Sequence, residues 1–258
     1  MTTRATCVLA PNPGVMTLDG TNTWVLREPG ADQVVVVDPG PLDGGHLAAV
    51  QAVVADTASS VALVLLTHRH ADHAESAVRF AELTGAPVRA LGVGHDDLAG
   101  GDAVRVAGLD LVVVATPGHT SDSLSLVVPA DAALLSGDTV LGRGTTVVAW
   151  PDGELGSYLD SLERIGDLTG AGAVRTILPG HGPCVYDAAA MVRGYLTHRH
   201  ARLDQVREAR AAGARDVHEV LERVYWDVPL EVWPAAELSV RAQLAYLDRP
   251  SGPAPESA

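Results

Sequence analysis

The segment 67–73 reads THRHADH and holds three histidines and one aspartate within six consecutive positions. His68 and His70 are two positions apart and can point the same way from an extended backbone, whereas Asp72 and His73 face another direction. Imidazole and carboxylate groups together suit zinc, and also iron or manganese. Because the side chains of this segment point in two directions, they favour two neighbouring metal ions over one.

Three more ligand-type side chains follow strand-like segments. His119 lies in TPGHTSDS, Asp138 in LLSGDTV and His181 in ILPGHGP, each in a turn that contains glycine. Turns held by rigid elements can bring their side chains to one cavity. A structural zinc site is typically a closed set of four ligands, so a larger set with carboxylates indicates an open, reactive centre. The candidate metal ligands are therefore His68, His70, Asp72, His73, His119, Asp138 and His181.

The elements that must position these side chains are mostly short strands. Strand-like patterns occur at 22–26, 33–38, 62–66, 87–91, 109–116, 123–128, 132–137 and 174–179. Helical patterns occur between them at about 44–56, 73–84 and 155–168. Because strands outnumber helices and several neighbours are close enough for hairpins, a purely parallel doubly wound sheet is disfavoured.

The pattern changes after Asp187. Only helical patterns follow, at roughly 188–212, 215–225 and 234–247. The last segment, RPSGPAPESA, is rich in proline, serine and alanine, which is typical of disorder. The sequence predicts a catalytic domain at residues 1–187, a helical module at 188–248 and a disordered tail at 249–258.

Composition restricts the partners and the location. The 258 residues are 47% hydrophobic and carry a net charge of -14, which opposes a broad phosphate-binding surface, so no double-stranded DNA partner is expected. No segment approaches about 20 uninterrupted apolar residues and the first residues lack the apolar core of a signal peptide, so we expect no membrane contact. For the same reasons we expect a cytoplasmic location. Cys7 and Cys184 are too few to form a disulfide framework.

The helical module carries a second group of candidate site residues. His198, Arg199 and Arg202 lie close together on its first predicted helix, and Arg199 and Arg202 share a face. These side chains could bind a carboxylate or phosphate of the substrate. The alternative is a solvated helix face with acidic partners at Asp204 and Glu208.

Other chemistry-bearing residues have simpler interpretations. Asp38 ends a strand of four valines and is predicted to orient a ligand histidine through a hydrogen bond. His46, His95 and His218 are single histidines away from the motifs and are predicted to be ordinary surface or core residues. Cys184 follows His181 by three positions, but with Asp138 available it is not needed as a ligand.

The motifs THRHADH, TPGHT, SGD and LPGHG, in this order, resemble the metallo-beta-lactamase superfamily, whose HxHxDH signature with a later His, Asp and His is matched at every ligand position. The resemblance covers roughly residues 8–186 and implies an αββα sandwich, an α/β fold of two mixed sheets back to back with helices outside. It assigns a first metal to three histidines, a second metal to Asp72 and two histidines, and a bridging role to Asp138. The histidines are His68, His70 and His119 for the first metal, and His73 and His181 for the second.

The helical end is similar to one branch of that superfamily. The segment YLTHRHARLDQV and the short helices after it resemble the branch of beta-lactamase-like protein 2, in which a small winged-helix-like module follows the lactamase domain. Members of this branch include endoribonucleases and acyl-carrier thioesterases. The acidic balance of the chain favours a small acyl substrate, whereas the helical module with its arginines and the resemblance to this branch favour single-stranded RNA.

This ligand set predicts a hydrolase with two zinc ions per chain. Zinc lowers the pKa of bound water from about 15.7 to about 7, and two ions can hold a bridging hydroxide against an ester, thioester, lactone or phosphodiester. Asp72 is the candidate catalytic residue, as a proton shuttle. No G-x-S-x-G motif is present, which disfavours a serine hydrolase. The alternatives are an endoribonuclease, a persulfide dioxygenase-like oxidoreductase with one iron, and a non-catalytic metal-binding protein.

Overall fold

The computed structural model describes residues 2–57, 59–92, 94 and 96–249. The interpretation of His95 and all but the first residue of the predicted tail lie outside the described residues. The strands, β1 to β11 in chain order, are Ala5–Leu9, Asn22–Leu26, Gln33–Val37, Ser60–Leu65, Val88–Ala90, Asp96–Asp97, Ala103–Val106, Leu109–Ala115, Leu124–Val128, Ala133–Gly137 and Thr176–Pro179. The helices, α1 to α7, are Gly44–Asp56, Ala71–Ala74, Ala77–Thr84, Leu155–Gly170, Ala188–Ala211, Val217–Val224 and Trp233–Leu247.

The strands form two mixed sheets. The first sheet follows the chain in the order β1-β2-β3-β4-β5-β6, antiparallel up to β3 and parallel from β3 onwards. The second sheet has the order β11-β10-β9-β8-β7, in which only β10 and β11 are parallel. Both sheets therefore combine hairpins with crossover connections.

The valines of β3 show why the sheets lie inside a sandwich. Val35 and Val37 pack into a core between the two sheets, with residues such as Leu111 and Leu126 of the second sheet. Successive side chains of a strand point to opposite faces, and Val34 and Val36 accordingly pack into a different core. A strand that is apolar on both faces must be covered on both sides.

Helices cover the outer face of each sheet. On the first sheet, α1 and α3 supply Leu47, Val50 and Phe80 to the outer core. On the second sheet, α4 and α5 supply residues such as Leu162 and Tyr195 to a core with the outward side chains of β10 and β11. The layers confirm the predicted αββα sandwich.

The C-terminal helices continue this packing. The first half of α5 lies against α4, while its second half forms a separate small core with α6 and α7 that includes Val206, Leu221 and Val240. The described residues from 188 to 249 contain helices, with a 3-10 turn at Leu230–Val232, and no strand. None of the described helices is both long and apolar enough to cross a membrane. The boundary at residue 187 stays a prediction.

Two expectations about the elements are wrong. The helix predicted at 73–84 is two helices, α2 and α3, separated at Glu75 and Ser76. Both the backbone N–H and the hydroxyl of Ser76 donate to Gly40 O, at 3.2 and 2.9 Å, in place of a regular helical bond. The predicted strands also omitted β1, β6 and β7, which are short strands at or near the sheet edges.

Candidate metal centre

All the candidate ligands lie in the turns that follow strands or on the short helix α2. In the first sheet, β4 ends at Leu65 and leads to His68 and His70, and α2 then carries Asp72 and His73. In the second sheet, β8, β10 and β11 each lead into a turn with one ligand. These ligands are His119, Asp138 and His181. Each sheet therefore contributes part of the centre.

The structure brings all seven side chains together in three overlapping groups. Within each group, ligand atoms from the three residues lie within 4.8 Å of one another. The groups are His68, His70 and His119; His68, His73 and Asp138; and Asp72, His73 and His181. The second group shares one histidine with each of the others, so Asp138 lies between the two outer groups.

The imidazole nitrogens face one another at short distances. His70 Nδ1 is 3.1 Å from His68 Nε2 and 2.9 Å from His119 Nε2, and His73 Nε2 is 3.2 Å from His181 Nε2. Convergent nitrogen lone pairs repel each other unless a proton or a cation lies between them. Asp138 Oδ1 is buried and accepts no hydrogen bond from the described residues. The donor set therefore fits divalent metal ions, for which neutral imidazole and carboxylate are ligands.

Hydrogen bonds at the opposite ring nitrogens fix the direction of three imidazoles. His119 Nδ1 donates to Val147 O at 2.7 Å, His181 Nδ1 to Gly20 O at 3.1 Å, and His73 Nδ1 to Asp38 Oδ2 at 2.9 Å. These acceptors require a proton on Nδ1 and leave the lone pair of Nε2 free to bind a metal.

Asp38 organises the turn before the centre. Besides His73, its carboxylate accepts the backbone N–H and the hydroxyl of Thr67, both at 2.7 Å. It is 1% exposed and has a left-handed backbone with φ of 52°. The predicted hydrogen bond from Asp38 to a candidate ligand histidine is confirmed. His46, predicted to be an ordinary residue, is buried beside Thr23 with 2.8 Å between Nε2 and the hydroxyl.

The pKa values of the histidines differ between the two outer ligand groups of the centre. Burial lowers the pKa of His68 well below its ordinary value, and burial and His119 lower the pKa of His70 to about 4. Burial also disfavours the charged form of His73, but the Asp138 and Asp38 carboxylates outweigh it and raise the pKa of His73. His68 and His70 are thus neutral imidazoles that could bind a metal directly, whereas a metal bound beside His73 would displace a proton.

Two glycines make room for the ligands. A Cβ atom at Gly180 would lie 2.4 Å from Asp138 Oδ1 and 2.7 Å from His73 Cε1. A Cβ atom at Gly137 would lie 2.6 Å from Thr67 Oγ1. Backbone can approach the centre this closely only without a side chain, which explains the glycines in SGD and LPGHG.

A cavity of about 240 Å³ opens at the centre. His119 and Asp138 lie in its wall, and most of the remaining wall is apolar. The apolar side chains come from the loop before β2, from the turns after β10 and from the C-terminal helices: Val15, Met16, Leu18, Leu141, Val147, Val232 and Ala235. Arg143 also lies in this wall. Sequence reasoning did not find these residues, since they belong to no motif.

The predicted substrate-binding residues line a neighbouring cavity. His198, Arg199 and Arg202 surround about 140 Å³, and the segment 145–147 lies in the walls of both cavities. Arg199 is 4% exposed, donates Nη2 to Thr146 O and lies over the Tyr158 ring at 4.8 Å.

Arg202 donates to Val224 O at 2.6 Å and lies over the Tyr225 ring at 4.6 Å. Both guanidinium groups are therefore already bound to protein groups. Arg199 Nε is buried and has no partner among the described residues. Substrate contact by these residues stays a prediction.

Helices α4 and α5 hold the turns that follow β10. Thr146, which Arg199 binds, donates its hydroxyl to Asp138 O at 2.7 Å. The hydroxyl of Tyr158 donates to Thr139 O at 2.6 Å, and Tyr195 accepts the N–H of Leu141 at 2.9 Å. The C-terminal helix α5 thus supports the backbone on which Asp138 lies.

The two-sheet sandwich gathers histidines and aspartates at one end of its strands, where they could hold divalent metal ions. Residues 16–95 and 91–181 match the family model described as Metallo-beta-lactamase superfamily. The chain belongs to the metallo-beta-lactamase superfamily, and it is a hydrolase of that fold.

Relatives match nearly the whole chain. It is 34% identical to a "Beta-lactamase-like protein 2 homolog" of Caenorhabditis elegans over 94% of this chain and 83% of that protein. It is 32% identical to an "Atrochrysone carboxyl ACP thioesterase" of Aspergillus fumigatus over 89% of this chain and 76% of that protein. A metallo-beta-lactamase family protein from Thermus thermophilus has the same fold, with a TM-score of 0.77 at 22% identity, covering 94% of this chain and 92% of that one. The predicted superfamily is confirmed.

Proposed function

We propose that the protein uses two zinc ions to hydrolyse a thioester of a small acyl group. The observation that carries this proposal is the overlap of three ligand groups, in which Asp138 lies between two outer sets of three residues. One set of three protein ligands with an open position is the arrangement of a catalytic zinc site. Two such sets side by side favour two ions.

Zinc ions at these ligands would supply a water of lowered pKa and polarise the carbonyl oxygen under attack. The protein's own residues hold the ligands in place. The Nδ1–H bonds of His73, His119 and His181 keep their Nε2 lone pairs directed at the centre. The apolar wall of the cavity excludes water around the acyl group.

Asp72 is suited to move the proton. Its side chain is 27% exposed, compared with 11% for Asp138, so Asp72 can reach both the centre and solvent. Asp72 Oδ2 accepts the Thr21 hydroxyl at 3.1 Å and lies 3.2 Å from His181 Nε2. We assign Asp72 the transfer of a proton from the attacking water to the leaving thiolate, with Asp138 as the shared ligand.

Two features support a thioester. The cavity wall is mainly apolar and matches an acyl chain. The relative from Aspergillus fumigatus is named as an acyl-carrier thioesterase. Esters and lactones present the same carbonyl group and belong to the same proposal. The proposal also includes the cytoplasmic location that the sequence predicts.

The test compares metal content and substrates in one series. The metal content of the full chain, and its oxygen consumption with a persulfide, are measured first on the protein as purified. The chain is then stripped of metal, reloaded with zinc, and assayed with an acyl thioester, a lactone and single-stranded RNA. We expect about two zinc ions per chain by elemental analysis, thioester turnover that disappears on stripping, and no oxygen consumption. Iron at one ion per chain with oxygen consumption would support the persulfide dioxygenase alternative. RNA cleavage with the highest kcat/KM would support the endoribonuclease alternative.

A further inference from the structure

Arg143 lies at the mouth of the cavity on a turn fixed to the metal centre. The N–H of the preceding Gly142 donates to His181 O at 2.9 Å. A Cβ atom at Gly142 would lie 2.1 Å from Pro183 O, so the two turns are in direct backbone contact. Gly144 has a φ of +72°, which lets the chain reverse just after Arg143. The turn thus holds Arg143 beside a candidate ligand.

Asp19 lies in the loop before β2, next to Leu18, which lines the cavity. The next residue, Gly20, accepts the Nδ1–H of His181 at 3.1 Å. Asp19 and Arg143 are therefore each one residue away from a backbone group that holds His181. Their side chains meet in a two-pronged pair, in which one Arg143 Nη group donates to each oxygen of Asp19, with 2.9 Å between Nη2 and Oδ1.

This ion pair is open to exchange. The Arg143 side chain is 48% exposed and the Asp19 side chain is 57% exposed. Exposed ion pairs contribute little to stability, because water competes for both charges. Arg143 is the only cationic side chain of arginine or lysine type among the described residues that line the cavity. The Arg143 guanidinium already binds the planar carboxylate of Asp19 through two donors, so its orientation also suits two-pronged binding of a ligand carboxylate.

We propose that Arg143 is a specificity-determining residue that binds a carboxylate of the substrate, in exchange for Asp19. This inference rests on the proposed hydrolase function of the same cavity. Arg143 thus selects acyl groups that carry a carboxylate near the reacting carbonyl and can replace Asp19, whereas uncharged groups gain no binding energy from it.

The test uses paired substrates and two variants with opposite expectations. Zinc-loaded full-length protein is assayed with thioesters of one thiol whose acyl chains, at several lengths, end in a carboxylate or in its methyl ester. Arg143→Gln should raise KM for the preferred carboxylate substrate by about tenfold, as expected for loss of hydrogen bonds between charged groups. Asp19→Asn should lower KM for the same substrate, because it removes the competitor.

Binding of a thioether analogue, which cannot be hydrolysed, gives a readout without turnover. Its Kd should follow the same opposite shifts in Arg143→Gln and Asp19→Asn. Arg105→Gln is the matched control, since Arg105 forms an exposed pair with Asp110 at 3.2 Å on a hairpin outside the cavity. This control should change neither KM nor Kd.

The outcomes separate this inference from the proposed function. If wild-type protein hydrolyses neither substrate but the Kd shifts are opposite, the thioesterase proposal fails and the carboxylate site stands. If Arg143→Gln and Asp19→Asn shift both constants in the same direction, the pair is only a latch between two turns and the inference is overturned. Equal effects on the carboxylate and methyl ester substrates would overturn it as well.

Discussion

The imidazole of His119 is held at Nδ1 by Val147 O, and its Nε2 faces His70 Nδ1 at 2.9 Å. His68 lies in two of the three ligand groups. Replacement of either ring by a methyl group removes a ligand without disturbing a strand, because both residues lie in turns.

His68→Ala and His119→Ala should therefore lower kcat/KM for the hydrolysed substrate by more than about 100-fold. This loss is larger than the usual effect of removing a residue that only hydrogen-bonds to a metal ligand. Circular dichroism should show an unchanged fold. The control is His218→Ala, an exposed histidine on α6 that lies 3.2 Å from Glu222. Retention of a large part of wild-type activity by both variants would argue against the assigned ligands.

We expect a different result when Asp138 is replaced, because this residue lies between the outer ligand groups. One carboxylate that serves two cations also reduces their mutual repulsion. Asp138→Ala should lower the zinc content at both positions, not at one, as measured by elemental analysis after dialysis against a weak chelator. A variant that keeps two ions at wild-type affinity would show that Asp138 is not shared.

Asp38 acts through other residues and should affect binding of the metal more than the chemistry. Asp38→Asn keeps the shape, but its amide group has only one oxygen to accept three hydrogen bonds. Zinc affinity should fall by about 10–100-fold, the usual effect of losing such a partner. The matched control is Asp43→Asn at the N-cap of α1, since asparagine caps equally well. Equal zinc affinity in both variants would contradict this positioning role.

At the scale of elements, α5 connects the C-terminal helices to the centre. Arg199 is buried and bound to Thr146 O, and Thr146 in turn binds Asp138 O. Arg199→Leu leaves a carbonyl group without its donor and should lower the free energy of unfolding by about 1.5–3 kcal/mol. Arg207→Ala is the control on the same helix, because Arg207 forms an exposed pair with Asp204.

Chemical denaturation of the zinc-free protein measures this cost, and KM measures any role in substrate binding. If Arg199→Leu is as stable as the control but has a raised KM for an anionic substrate only, this result would instead support the prediction that Arg199 binds the substrate. The same comparison applies to Arg202, whose guanidinium binds Val224 O.

The elements that carry ligands could be predicted because each set of ligands comes soon after a strongly apolar strand, and His119, Asp138 and His181 each directly follow a glycine. The strands at 109–116, 123–128 and 132–137 agree with β8, β9 and β10 to within one residue at each end. By contrast, β1 and β7 are only five and four residues long, and only one residue of each is buried. Such short segments become strands only because a neighbour pairs with them, which a local pattern does not reveal.

The cavity wall was not predictable for a related reason. Val15, Met16 and Arg143 come from loops with no periodicity, and only their contacts with distant turns place them at the centre. Ligand sets can be found from sequence because each ligand type has its own chemistry. Wall residues have no such signature, since any apolar side chain can serve.

At the scale of the whole molecule, one arginine joins the two sheets at an end of the sandwich. Arg4 precedes β1 and binds Glu28 after β2 at 2.9 Å between Nη2 and Oε1. It also binds Asp131, between β9 and β10 in the second sheet, at 2.7 Å between Nη1 and Oδ1. The Asp131 side chain is 4% exposed.

Burial alone would raise the pKa of Asp131, but hydrogen bonds from the N-terminal segment, including Arg4, lower it. A carboxylate with a lowered pKa in the folded state stabilises the fold above its unfolded pKa of about 3.9 and loses this contribution as the pH falls through the folded value. Asp131→Asn should therefore be less stable than wild type at neutral pH, with a difference that narrows in acid.

Urea unfolding of the zinc-free protein at several pH values measures this difference. Asp110→Asn, which removes an exposed ion pair with Arg105, is the control and should show little difference at any pH. A difference between Asp131→Asn and wild type that stays constant down to the acid limit would show that the charge of Asp131 is not responsible.

The contacts between the loop before β2 and the turn of His181 also determine when the centre can assemble. The side chain of Asn22 donates to Gly182 O, 160 residues later in the chain, at 2.9 Å. Contacts between such distant segments form late in folding, because a long loop must close before they contribute. Translation must therefore continue past His181 before all the candidate ligands exist, and a nascent chain that ends before His181 lacks part of the proposed two-metal centre. Metal bound at this centre would then report the completed fold, and a state in which the two sheets separate would release it.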